Sequence, residues 1–410
     1  MLGFRWPSFI IQGMIQGMYI ALLGRQPALG MAELERVYGT VRWFSHDTAL
    51  IDTASFDVQR LGGTIKGGVV IRELGSTDWR KASMQLVKLY TDKWSDTSGK
   101  ITVGISAHGF TIGARDVQRT AHILKSKLKN RGINMRSVPN EQPALRSASS
   151  HHNKLGLSPN KVELLVIRGH NGNVIIAEST GAQNITALAR RDQERPARDA
   201  FVGMLPPKLA QIMVNLAAPQ QRDVTVDTPS PTLLDPFCGT GVLLQEALLL
   251  GLHVYGTDLS EKMIRYSRDN INWLQNKNQF QGQWQLETAD ATDHTWHQPI
   301  NVVATETYLG QPFGSPPTKE KLAEVRHTCD TIITKFLQNI GRQLTSGTPL
   351  CLAVPAWNDG HDNFTHLPLL HKLNQLGYQP VPFSHVTAKD LLYYRPGQVV
   401  ARELLVLTKI

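Results

Sequence analysis

Short apolar runs separated by polar turns fill the first half of the chain, and longer apolar runs around one glycine-bearing turn fill the second. "MYIALLG" from Met18, "TALIDT" and "GGVVIRE" predict strands, with a helix from Gly30 to Tyr38 between them. Residues 18–80 therefore read as a small α+β module of ferredoxin-like style. Residues 81–190 repeat that style. The strand "KITVGISAHG" precedes a helix from about Ala114 to Asn130, with Val117, Ala121, Leu124 and Leu128 on one face. The opposite face carries Arg119, Lys125, Lys127 and Lys129. "KVELLVIRGHNGNVIIAEST" predicts a hairpin turning near Asn171-Gly172, because Asn-Gly accepts the positive φ angles of a tight turn. The charged stretch "LARRDQERPARDA" has the composition of a boundary, and residues 195–410 form the largest unit.

In that last unit the pattern "PTLLDPFCGTGVLLQEALLLGLHVYGTDLS" predicts strand, turn, helix and strand. Leu233-Leu234 ends the first strand, Val242 to Leu250 forms the helix, and Asp258 closes the second strand, 23 residues after Asp235. Glycines in such a turn let backbone approach a ligand closely, and an acid at the second strand's end holds ribose hydroxyls. Nicotinamide-binding domains share the geometry. Here, however, the turn opens with Asp235-Pro236-Phe237 and lacks the G-x-G-x-x-G that cradles a pyrophosphate. The ending "LLYYRPGQVVARELLVLTKI" predicts two strands about Arg395-Pro396-Gly397, a terminal antiparallel hairpin on a mostly parallel sheet.

Composition narrows the function. The chain's 410 residues, 41% hydrophobic and 19% charged, suit several globular domains. Three scattered cysteines, Cys238, Cys329 and Cys351, form no C-x-x-C pair, which argues against a disulfide framework or a zinc site and for a reducing cytoplasm. No metal is expected. The run "SFIIQGMIQGMYIALLG" is interrupted by Gln12 and Gln16, short of the roughly 20 apolar residues a spanning helix needs, so residues 1–17 read as an extension and no membrane association is expected. The net charge of +9 is concentrated in residues 101–200, where 15 lysines and arginines face 7 acids. Such a basic module next to a catalytic domain points to a nucleic-acid partner through phosphate attraction.

"LLDPFCGTG" followed by "GTD" resembles class I S-adenosylmethionine-dependent methyltransferases. With "FVGMLPPKLAQIMVNLA", the basic middle module and "YYRPGQVVARELLVL", the chain resembles the THUMP-domain tRNA (guanine-N2)-methyltransferases that modify guanine 10. The resemblance implies a Rossmann-like methyltransferase domain behind α+β and THUMP-like domains, with tRNA as partner and S-adenosylmethionine as cofactor. It implies that Asp235, Phe237, Gly239 and Gly241 line the cofactor's methionine end, Asp258 its ribose and Asp290 its adenine amine. Met204, Leu205 and Pro206 would flank the methionine tail. For tRNA capture it points to Lys125, Lys127, Lys129, Arg131, Arg136, Arg146, His152 and Lys154. It leaves open an activator subunit.

One stretch departs from the family. Where Asp-Pro-Pro-Tyr or Asn-Pro-Pro-Tyr is expected, this chain has Thr305-Glu306-Thr307-Tyr308. An exocyclic guanine amine is a poor nucleophile because its lone pair is delocalised into the ring. An acceptor for its N–H redirects that pair, and an aromatic ring holds the base. Glu306 and Tyr308 supply those groups without the two stiffening prolines, and Glu306 is one methylene longer than Asp. Three classes of function fit the sequence: tRNA guanine methylation, methylation of rRNA, DNA or a protein amine, and RNA binding without catalysis.

Overall fold

The computed structural model describes residues 17–199, 204–218, 230–297, 299–361 and 363–410. The expected extension before Met18 lies outside the described residues, apart from Gly17. The chain divides into two compact units, and they interleave in sequence. One holds residues up to Gly24, Thr40–Gln59 and Thr64–Ile185; the other holds Arg25–Gly39, Arg60–Gly63 and Thr186–Ile410.

The first half of the chain runs β1 (Met18–Leu23), α1 (Pro27–Tyr38), β2 (Val41–Ser45), β3 (Thr48–Asp52), β4 (Thr64–Ser76), α2 (Trp79–Lys93) and β5 (Lys100–His108). It continues α3 (Ala114–Lys129), β6 (Asn134–Ser137), α4 (Ser147–His152), β7 (Lys161–Arg168) and β8 (Asn173–Ala182). The eight strands build one sheet in the order β2-β3-β1-β4-β8-β7-β5-β6. Residues 18–80 and 81–190 thus share a sheet, joined by the antiparallel pairing of β4 with β8. Val162 and Leu164 to Ile167 are buried in a central strand, as a strand covered on both faces requires, and the one charged residue among them, Glu163, is buried against Lys66. One face packs Val103, Ile105, Leu164 and Val166 against the apolar stripe of α3. That stripe is Val117, Ala121, Leu124 and Leu128, as its spacing predicts. The other face packs Ile20, Leu22, Phe44, Leu50, Leu165 and Ile167.

The second unit takes α1 from the first half of the chain. Buried Glu33 on α1 accepts hydrogen bonds from the backbone N–H groups of Gly62 and Gly63 and from the Asn215 amide. The turn is closely packed: a Cβ at Gly63 would lie 2.5 Å from Gly30 Cα. From there the chain runs α5 (Ile185–Gln193), α6 (Pro207–Ala217), β9 (Thr232–Asp235), α7 (Val242–Leu249), β10 (His253–Asp258), α8 (Glu261–Lys277) and β11 (Trp284–Thr288). It ends β12 (Val302–Glu306), α9 (Lys319–Gly341), β13 (Pro349–Asn358), β14 (Phe364–Thr365), β15 (Tyr378–Pro380), β16 (Leu392–Tyr393) and β17 (Val400–Lys409).

Its main sheet has the order β11-β10-β9-β12-β13-β17-β15. The strands from β11 to β13 are parallel, while β17 runs antiparallel between β13 and β15. This is the doubly wound, Rossmann-like arrangement with a reversed terminal strand. The arm of the terminal hairpin before Arg395 is only the two-residue β16, and the long partner of β17 is β13. Strand order reverses between β9 and β12, and in open α/β sheets ligands bind outside the carboxyl ends of strands at such a reversal.

Candidate active site and basic groove

Four acids follow the carboxyl ends of four adjacent strands: Asp290 beyond β11, Asp258 on β10, Asp235 on β9 and Glu306 on β12. Asp235 and Glu306 face each other across the strand-order reversal. Thr305, just before Glu306, donates its hydroxyl to Asp235 Oδ1 at 2.6 Å, and the Phe237 N–H donates to the same oxygen at 3.3 Å. Both donors are neutral. With Asp235 only 2% exposed, burial raises its pKa to about 7, and the nearby Asp258 and Glu306 charges push the same way.

Asp258 braces the glycine-bearing turn. Its two oxygens accept the backbone N–H groups of Gly239 and Ser260, each at 2.9 Å. Burial raises its pKa, and those two hydrogen bonds oppose the rise. Gly239 and Gly241 have φ of 50° and 77°, the left-handed region that favours glycine. A Cβ at Gly241 would meet Ser267, whereas a Cβ at Gly239 would meet nothing within 4 Å. The turn is therefore held from behind and open in front. Buried Cys238 has its thiol pKa pushed well up by burial, consistent with a packing role.

The Phe237 ring packs edge-on against Phe336 at 5.2 Å. Asp290 is exposed and accepts the N–H and hydroxyl of Thr292, a turn-forming arrangement. Met204 Sδ receives a hydrogen bond from Arg195, Leu205 is buried, and Pro206 caps the start of α6. Glu306 is bound by the Arg402 guanidinium on β17. Burial raises the Glu306 pKa and Arg402 opposes the rise. Tyr308 is 44% exposed, leaving its ring free to meet a planar ligand.

In the first unit, α3 and β6 line a groove of about 580 Å³ with Lys100, Gln118, His122, Lys125, Asn134 and Arg136. Lys125 and Arg136 are thereby brought together. Lys127 and Lys129 are exposed on α3 outside the groove lining, and Arg131 turns to the Thr91 carbonyl and Asp92. Arg146 lies 3.5 Å from Glu141 beside a smaller recess, while His152 and Lys154 are exposed nearby. Sequence reasoning missed Lys100, Gln118 and His122 here, and Thr305 and Arg402 at the strand ends. The spacing of Gln118, His122 and Lys125 (i, i+4, i+7) was the available signal, since it marks one helix stripe.

The sheet order and the acid-bearing strand ends give the second unit a Rossmann-like fold with a ligand site at its strand-order reversal. In agreement, residues 195–355 match a family model described as an RMKL-like methyltransferase domain. More particularly, the chain is similar to the tRNA (guanine(10)-N2)-dimethyltransferase of Methanothermobacter thermautotrophicus, 29% identical over 172 residues, 41% of this chain and 44% of that protein. The enzyme of the same name from Pyrococcus abyssi is 41% identical over 69 residues, 17% of this chain and 18% of that one. The chain thus spans less than half the length of these relatives. Superposition on the crystal structure of TrmN from Thermus thermophilus covers 96% of this chain and 100% of that chain, with 17% identity and a TM-score of 0.49. Among the described residues, no helix is long and apolar enough to cross a membrane.

S-adenosylmethionine, the cofactor of such domains, fits this donor set. Gly239 presents open space, Asp235 is a buried carboxylate with no cationic partner among the described residues, and Asp258 retains lone pairs beside the turn.

Proposed function

We propose that the chain is an S-adenosylmethionine-dependent tRNA methyltransferase acting on the exocyclic N2 of a guanine. One observation carries the reading. The open glycine turn braced by Asp258 lies at the same strand-order reversal as Asp235 and Glu306, so a cofactor cradle adjoins an amine-binding acid.

When bound, the cofactor supplies an electrophilic methyl group on a cationic sulfur. Asp235 would face the cationic methionine end together with Phe237, Gly239 and Gly241, Met204, Leu205 and Pro206 would flank that end, Asp258 would hold the ribose, and Asp290 the adenine amine. Glu306 accepts an N–H of the target amine, which turns the nitrogen lone pair toward the methyl, and it takes or relays the displaced proton. Tyr308 stacks on the base, which must leave its helical stack to arrive. Positioning of this kind is a large part of catalysis for a weak nucleophile.

Residues 81–190 serve in this reading as a THUMP-like module that grips tRNA. Lys125 and Arg136 in the groove, with Lys100 and His122, contact phosphate; Lys127, Lys129, Arg131, Arg146, His152 and Lys154 extend the basic surface. Phosphate contacts of this sort set position without reading sequence. Three free, buried cysteines suit a cytoplasmic enzyme.

The test is methyl transfer from labelled cofactor to tRNA transcripts, followed by nucleoside analysis. Label in N2-methylguanosine or its dimethyl form supports the reading. Label in rRNA, DNA or protein alone moves the substrate, and cofactor binding without transfer to any of them removes the catalytic claim.

A further inference from the structure

Arg402 reaches Glu306 from two strands away. In register, Glu306 on β12 lies beside Ala353 on β13, and Arg402 on β17 lies beside Pro355. Side chains alternate along a strand, so Ala353 and Pro355 share one face, and Glu306 and Arg402 project on that same face. β12 and β17 are two spacings apart, about 10 Å. Only a long side chain crosses that gap, and only over small neighbours. Ala353 and Pro355 supply them. Pro355, which has no N–H to donate, lies two residues past Ala353, where the paired register with β12 ends.

The contact joins Arg402 Nε to Glu306 Oε1. Both side chains are largely buried, at 11% and 17% exposure. A carboxylate this buried tends to take up a proton, and a protonated carboxyl no longer presents two acceptor oxygens to an amine. We propose that Arg402 is the positioning residue of the amine site: it fixes Glu306 Oε1, leaving Oε2 as the acceptor for the substrate N–H. A fixed guanidinium also offsets the freedom that the extra methylene of Glu306 brings. This inference rests on the amine-methylation reading above. Of the ionisable groups around this pair, Asp235 on β9 interacts electrostatically with Glu306, and Tyr393 on β16 lies opposite Arg402; β13 contributes none at Ala353 or Pro355.

The test uses the full-length protein and Arg402→Met, Arg402→Lys, Glu306→Gln and Glu306→Gln/Arg402→Met variants. The Glu306 carboxylate is followed by carbon NMR in cofactor-free protein, and methyl transfer to tRNA is followed against pH. For Arg402→Met we expect Glu306 to titrate at higher pH, kcat near neutrality to fall about 100-fold, and the rising limb of the kcat profile to move to higher pH. KM for the cofactor should barely change. Arg402→Lys should recover part of the rate, and the double variant should be no slower than Glu306→Gln. A Glu306 titration that does not move, a pH-independent loss of rate, or additive losses in the double variant would overturn the role of Arg402. A wild-type protein that methylates nothing, while its Glu306 titration still responds to Arg402→Met, would overturn the functional reading instead.

Discussion

Asp235, buried, and Glu306, largely buried, stand at neighbouring strand ends, yet their charges are handled in opposite ways. Asp235 has neutral donors, a hydroxyl and a backbone N–H, and its pKa rises to about 7. Glu306 already holds a guanidinium. The difference identifies what each acid awaits. A buried carboxylate without a cation gains most from a cationic ligand, whereas one already paired is ready to accept a neutral N–H. In the proposed function, one end of the site therefore selects charge and the other selects hydrogen-bond geometry.

The strongest way to break this comparison is to remove the first acid. Asp235→Ala should weaken S-adenosylmethionine binding by roughly 30- to 1,000-fold in calorimetry, the cost of losing one partner of a buried charge contact. Binding at wild-type affinity would remove Asp235 from the cradle. Glu306→Ala should do the reverse, lowering kcat about 10²- to 10³-fold with cofactor affinity unchanged, as measured by labelled methyl transfer. A matching loss of affinity would show that the two ends are not separate.

pH sharpens the contrast further. Burial raises the Asp235 pKa to about 7, and a cationic ligand favours its ionised form. Cofactor binding should therefore release a proton, and affinity should drop about tenfold for each pH unit below 7. Calorimetry in buffers of different ionisation enthalpy reads the proton directly; no proton release between pH 5 and 7 would contradict the assignment. The smallest effect is expected in the first unit. Lys125→Ala with Arg136→Ala should weaken tRNA binding across all sequences and reduce the salt slope by about two. A slope unchanged from wild type would exclude this groove as a phosphate contact.

These regions also differ in how far the sequence exposed them. The cradle was legible because Asp235, Gly239, Gly241 and Asp258 fall within one strand–helix–strand unit, where spacing along the chain fixes spacing in the fold. The α3 face was legible for the same reason: helical periodicity is local. Arg402 was not, because it lies 96 residues from Glu306 and meets it only through the order of three strands. Lys100 and His122 join Lys125 and Arg136 only once β5 and β6 lie beside α3. The pairing of β4 with β8 was also hidden, since residues 64–76 carry no mark of a partner about a hundred positions on. The stretch from Thr305 to Tyr308 stood out in the sequence, but the ion pair that Glu306 makes with Arg402 on a distant strand did not.

That β4–β8 pairing has a practical consequence for anyone dividing the protein. A fragment begun at residue 81 would retain β8 but lose the strand that covers one of its flanks from Asn173 to Ala182. Its bare row of amides and carbonyls would recruit the same row from another fragment, so such a piece should precipitate. A cut after Ile185 keeps β4 with β8 but parts α1 and Arg60–Gly63 from the rest of the second unit, to which they belong.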